Sequence, residues 1–239
     1  MKQPRYVYKD KAKENLSGKY GVVIPINIIF GLILGTISSI STEFAAERSF
    51  ESGSWQVVDP GNPALATLLN VIVFIISAFF AYALARMYIQ LARDEKPVIE
   101  ETVTLGFTDK PIRSVVLHLL MNIFILLWSL LLIIPGIVKS YAYSMSFYLL
   151  HRKPDLSASD AIDLSKKYTN GRKMDLFTLD LSYLLMYFLG IFTFFILWLW
   201  IVPKHMTART LYFDEIYAEM NPVKPKLDLD EEEKEEEEY

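Results

Sequence analysis

The chain has 239 residues, 52% of them hydrophobic, no cysteine, and a formal net charge of −4. Without cysteine there is no disulfide framework, no thiolate nucleophile and no cysteine-ligated metal. The charge is unevenly divided: nine of the 28 acids and one of the 24 bases fall in 227–239, so this tail carries −8 and the rest of the chain +4.

In chain order, residues 1–19 hold six bases, Lys2, Arg5, Lys9, Lys11, Lys13 and Lys19, and read as a basic, partly helical leader. Segments 20–42, 64–85 and 114–138 contain no Asp, Glu, Lys or Arg, giving uncharged runs of 23, 22 and 25 residues. A helix of roughly 20 apolar residues crosses a bilayer core of about 30 Å. The runs lack the alternation of a membrane barrel, which leaves helices as the spanning elements. The first run is too long for the core of a secretory signal and is expected to be a retained span.

Lysine and arginine collect on the cytoplasmic side of membrane proteins. The connection 42–63 has Arg48 alone, against Glu43, Glu47, Glu51 and Asp59, whereas 86–113 has Arg86, Arg93, Lys96, Lys110 and Arg113. The first two spans therefore run in–out–in. Without a return crossing, the bases after Leu150 would lie outside. The helix-breaking pair Pro135-Gly136 predicts a turn, with 137–151 as a short fourth crossing back to Arg152 and Lys153. Lys139, at its outer end, is expected to snorkel.

Ser157 is a good N-cap with Asp160 at the capping-box position, and Gly171 suits a left-handed stop. Between them Ala158, Ala161, Ile162, Ser165 and Tyr168 share a face, which predicts a cytoplasmic amphipathic helix lying against the bilayer or the bundle. Segment 176–203 is apolar apart from Asp180 and reads as two short crossings that turn near Gly190 to Thr193. The expected fold is an all-α polytopic transmembrane bundle. It has about six membrane helices within a membrane domain 20–218, cytoplasmic termini, and a disordered acidic tail 219–239.

Intramembrane polar groups are the candidate functional residues. His118, Asn122 and Ser129 fall within about 40° of one another on a helix, which suits a proton or solute path or, the favoured reading, hydrogen bonds between helices. Asp180 reads as a proton or cation carrier or, again favoured, an interfacial carboxylate paired with Lys173, Arg172 or a tyrosine hydroxyl. Lys139 and Asp180 belong near opposite faces of the membrane, so no ion pair between them is expected. Asn27, Gly31, Gly35 and Ser39 recur at four-residue steps, an inward face for packing within the chain in preference to a homodimer. Asn70 and Ser77 mark the inward face of the second span.

No G-x-S-x-G, H-E-x-x-H, P-loop or dinucleotide fingerprint occurs, so no catalytic residue, metal or cofactor is expected. The basic clusters are short and juxtamembrane, which argues against nucleic acid and for anionic lipid at the cytoplasmic loops.

Six stretches carry a family resemblance: KAKENLSGKYG (11–21), LARDEKPVIEETVTLGF (91–107), LWSLLLIIPGIVKSYAYSMSFYLL (127–150), KPDLSASDAIDLSKKYTNGRK (153–173), LFTLDLS (176–182) and LWIVPKHMTARTLYFDEI (199–216). Together they resemble a family of bacterial integral membrane proteins, common in Gram-positive bacteria, whose domain has no known function. That family looks distantly related to the membrane region of some bacterial glycerophosphodiester phosphodiesterases. The resemblance implies a helical domain of the cytoplasmic membrane and no catalytic residues. This chain departs from the family in having FFILWLWIVP where relatives carry glycines before the last Trp-x-x-Pro. The expected function is non-enzymatic: a membrane scaffold or a bundle that binds lipid or an unknown protein partner. A small transporter or channel is the alternative, and a lipid-modifying enzyme the weaker one.

Overall fold

The computed structural model describes residues 3–43, 47–51, 54–59 and 61–222; the acidic run 227–239 lies outside them. Among the described residues there are ten helices and a two-stranded ribbon. Helix α1 (Arg5–Asn15) is tied down by long-range bonds. Tyr8 packs edge-on to Tyr212 at 5.5 Å. The Asn15 amide donates to the carbonyls of Leu91 (2.9 Å) and Ala92 (3.0 Å). Those are carbonyls of the last turn of α3 (Pro63–Ala92), which lack the donor four residues on that an interior carbonyl has, so Asn15 ties α1 to that helix end.

Helices α2 (Tyr20–Glu43) and α3 run antiparallel. Their contacts are the Phe30–Phe80 stack at 4.0 Å, Tyr88 Oη donating to Asn27 at 3.1 Å, and Ser41 Oγ donating to Asn70 at 3.3 Å. The connection between them contains strands β1 (Glu47–Glu51) and β2 (Ser54–Asp59), paired antiparallel with Glu51 opposite Ser54. Apart from this ribbon the described residues are helical, in keeping with the all-α expectation. Asn62 caps α3 by accepting the Leu65 N–H at 3.1 Å. A further short helix, α4 (Ile99–Thr108), follows α3.

Helix α5 (Pro111–Leu131) and α6 (Ile133–Tyr143) form a tight hairpin whose hinge is Leu132, with φ −161° and ψ 142°. The expected turn at Pro135-Gly136 is thereby corrected. Pro135 occupies the first turn of α6, where its missing N–H leaves no bond unmade. At Gly136 the helices touch: a Cβ there would overlap the Ser129 side chain. The return continues through α7 (Ser146–Arg152). Lys139 lies over the Trp128 ring (4.3 Å), Tyr143 beside Phe124 (6.1 Å), and Phe147 beside His118 (6.2 Å). Lys110 Nζ then reaches the Leu150 carbonyl at 3.4 Å. The chain does reverse and travel back to the start of α5, as two short helices of 11 and 7 residues.

Helix α8 (Ala158–Tyr168) begins at Ser157, whose Oγ accepts the Asp160 N–H at 3.2 Å. Its buried residues are Ala158, Ala161, Ile162, Ser165 and Tyr168, and this face lies on the bundle, where Ser165 Oγ donates to the Ala142 carbonyl at 2.8 Å. Gly171 takes the left-handed φ of +76°. Helix α9 (Lys173–Phe192) and α10 (Trp198–Met220) complete the fold. The turn joining them falls beside the expected position, with Phe194 at φ +50° and Phe195 at φ +66°. Side-chain-bearing residues rarely adopt that conformation.

Among the described residues four helices, α2, α3, α5 and α9, are long and apolar enough to cross a membrane. The other two expected crossings, both short, fall on α6–α7 and on the start of α10, which a test of length and composition does not count. Neither α6 nor α7 approaches 20 residues, and α10 is apolar only near its start and then carries Lys204, His205 and Arg209.

Candidate functional site

The register of α9 against α10 is set near their turn. Trp198 Nε1 donates to the Tyr187 carbonyl at 3.0 Å. The indole lies so close to Gly190 that a Cβ there would overlap it. From that fixed point the antiparallel pair places Asp180 opposite His205, and Arg209 one turn beyond on the same face of α10.

Asp180 is surrounded by donors. Its Oδ1 accepts from His205 Nε2 at 2.8 Å. Its Oδ2 accepts from the Tyr141 hydroxyl at 2.9 Å, with Arg209 Nη1 at 3.5 Å. The other ring nitrogen, Nδ1, lies 3.0 Å from the Tyr187 hydroxyl. Tyr183 stacks on the imidazole at 4.6 Å, and His205 is 7% exposed. Both imidazole nitrogens therefore have a partner, the Asp180 carboxylate on one side and the Tyr187 hydroxyl on the other. Arg209 also neutralises Asp180, so the cluster has no surplus negative charge to attract a cation.

Beside the cluster lies a cavity of about 450 Å³ between α3, α6, α7, α9 and α10. Ala81, Leu84 and Ala85 of α3, together with Phe147, Met206 and Phe213, give it apolar walls. Asp180 and Arg209 form a polar edge, with Ser140 and Thr210 nearby. An apolar cavity with a few convergent polar groups is the usual form of a small-ligand site.

The other expected residues are dispersed. His118 Nε2 lies 3.2 Å from Ser77 Oγ on α3, while Asn122 Nδ2 donates to the His118 carbonyl at 2.8 Å and Ser129 meets Gly136. His118 and Ser129 thus meet different helices and Asn122 bonds back along its own, so no chain of side-chain hydrogen bonds links the three among the described residues. Lys139 sits on Trp128, and no ion pair joins it to Asp180 among the described residues. Nor does Asp180 meet the expected Lys173 or Arg172; Arg172 pairs with Glu219. Gly31 and Gly35 face away from the chain, with nothing within 4 Å of a Cβ built on either, which corrects their assignment to packing within the chain.

Sequence reasoning named a tyrosine hydroxyl as an Asp180 partner but missed His205 and Arg209. Their four-residue spacing, opposite the sole acid of an apolar segment, was the available signal. It also missed a repeated device. Tyr8–Glu215, Tyr82–Asp109 (2.6 Å), Tyr141–Asp180, Tyr148–Asp214 (2.5 Å) and Tyr212–Asp175 (2.8 Å) each join a tyrosine hydroxyl to a distant carboxylate. Burial holds the Asp214 carboxyl above the usual carboxylate range, although Tyr148 and Arg93 pull it the other way.

Fold and site thus define a helical membrane protein with an interhelical cavity edged by a neutralised charge pair. The chain belongs to the family described as "Protein of unknown function (DUF975)", whose model matches residues 1–139 and 130–220. No curated protein and no solved structure matches it.

Proposed function

We propose that the protein is a non-enzymatic, lipid-binding bundle of the bacterial cytoplasmic membrane, multi-pass with both termini cytoplasmic. The Gram-positive setting and the distant resemblance to the membrane region of glycerophosphodiester phosphodiesterases belong to the same proposal. The observation that supports it is the cavity on α3. Its alanine and leucine wall suits hydrocarbon, and Asp180–Arg209 offers both an acceptor and a donor to a polar linkage. Small residues at 81 and 85 keep that space open.

Lipid retained on protein purified from native membranes tests this reading. A specific lipid should copurify with the native chain and be lost from Ala81→Trp and Ala85→Phe. Equal lipid in the filled and native proteins would contradict it. Proteoliposomes test the transporter alternative: Asp180→Asn and His118→Ala should change no solute flux, because Asp180 is neutralised and His118 is bound to Ser77.

A further inference from the structure

A second, smaller pocket of about 200 Å³ lies where the C-terminal ends of α3 and α7 meet. On α3, positions 86, 89, 90 and 93 lie about 140° round the helix from those lining the cavity, so the two are separate. Arg86 and Arg93 come from α3 and Arg152 from α7, with His151 and Gln90 between them.

Among the described residues, none of the three arginines is within ion-pair distance of a carboxylate. Glu95 is the single acid in the wall, and Asp214 lies near enough to Arg93 to feel its charge. Arg152 rests on the Tyr217 ring at 4.5 Å, and its Nε is buried without a hydrogen-bond partner. His151 donates Nε2–H to the Tyr82 carbonyl at 2.8 Å, which holds its ring in place.

Helix C-termini favour nearby cations, and that accounts for a base at each end. It does not account for three guanidiniums around one small space with a single carboxylate, because like charges in a partly desolvated pocket repel. Within the wall itself, three arginines against one glutamate give a net charge of +2. Guanidinium forks match the oxygens of phosphate in geometry as well as charge.

We propose that this pocket binds a phosphate group, on Arg86, Arg93 and Arg152. The group could belong to a phospholipid head or to a free phosphate, and both offer the same oxyanion to the same three side chains. The site goes beyond the cavity proposed above and stands or falls independently of it.

The test uses the full chain in nanodiscs, with the thermal unfolding midpoint and direct titration as readouts. In phosphatidylcholine discs, inorganic phosphate should raise the midpoint and bind saturably, more tightly than chloride at matched ionic strength. If it does not, discs containing phosphatidylglycerol should raise the midpoint instead, which identifies the ligand as a lipid head. In either arm Arg86→Gln and Arg93→Gln should each weaken the effect about tenfold, the loss of one charge-assisted contact. Both side chains are exposed, so these variants should keep the fold; Arg152→Gln, which also loses its Tyr217 contact, serves as a third. Glu95→Gln should strengthen binding, an outcome that a purely structural role for the arginines does not produce. No shift in either arm, an equal shift with chloride, or a shift unchanged in Arg86→Gln and Arg93→Gln would overturn the proposal. Lipid retention by Ala81→Trp is a separate readout, so failure of the cavity reading is recognised separately.

Discussion

The two hairpin tips and the base of the molecule are held together in different ways. At the α5–α6 tip Leu130 to Ile134 are each 68–75% exposed, and at the α9–α10 tip Phe192 and Phe194 are 71% and 88% exposed. Apolar surface this contiguous would drive aggregation in water. In lipid it needs no protein partner, and the helices meet there through close contact, Gly136 on Ser129 and Gly190 on Trp198. At the base, α1, α7, α8, α9 and α10 are joined by hydrogen bonds from tyrosines and asparagines and by buried charge. Packing of small residues sets the geometry of the tips, and polar pairs set that of the base.

The largest effect should come from the base. Asp180→Ala leaves Arg209 without its counter-charge in a cluster where both side chains are about one-fifth exposed (19% and 20%). A loss of about 3 kcal/mol is expected in denaturant unfolding, partly recovered by Asp180→Asn combined with Arg209→Gln. At the tips, Gly136→Val should cost about 2 kcal/mol by overpacking, while Gly31→Val, facing open space, should stay within about 0.5 kcal/mol. Similar losses for the two would erase the distinction between touching and non-touching glycines.

Tyr148→Phe should cost about 1.5 kcal/mol by removing a donor from Asp214. The effect should depend on pH. Asp214 has a raised folded-state pKa, so its protonation favours the folded protein. Stability from this group is complete below the ordinary carboxyl range and is lost as pH rises through the elevated folded value. Asp214→Asn should flatten that part of the stability–pH curve. One effect has the opposite sign: Phe194→Gly relieves a left-handed aromatic residue and should stabilise the tip by about 1 kcal/mol.

Local chemistry was legible in the sequence. Uncharged runs located α2, α3 and α5, and Ser157 with Gly171 bounded α8 along with its buried face. Reversal after α5 followed from where the bases lie. The hinge residue did not, because Pro135-Gly136 is a strong local signal, yet proline fits a first helical turn and glycine a close contact. The β1–β2 ribbon was passed over although Ser-Gly at 52–53 separates two β-prone runs. Partners of Asp180 could not be read locally, since Tyr141 and His205 lie 39 and 25 residues away. Gly31 and Gly35 show the limit of a periodic stripe: spacing identifies a face without saying what covers it.

The return of the chain through α6 and α7 underlies every placement of the polar groups, and introduced cysteines test it directly on a background without native thiols. Single cysteines at Trp55, Asp109 and Ser159 would be exposed to a membrane-impermeant reagent in sealed vesicles of each orientation. Asp109 and Ser159 should react from one face and Trp55 from the other. If Ser159 instead reacts together with Trp55, the hairpin does not bring the chain back, and the account is wrong.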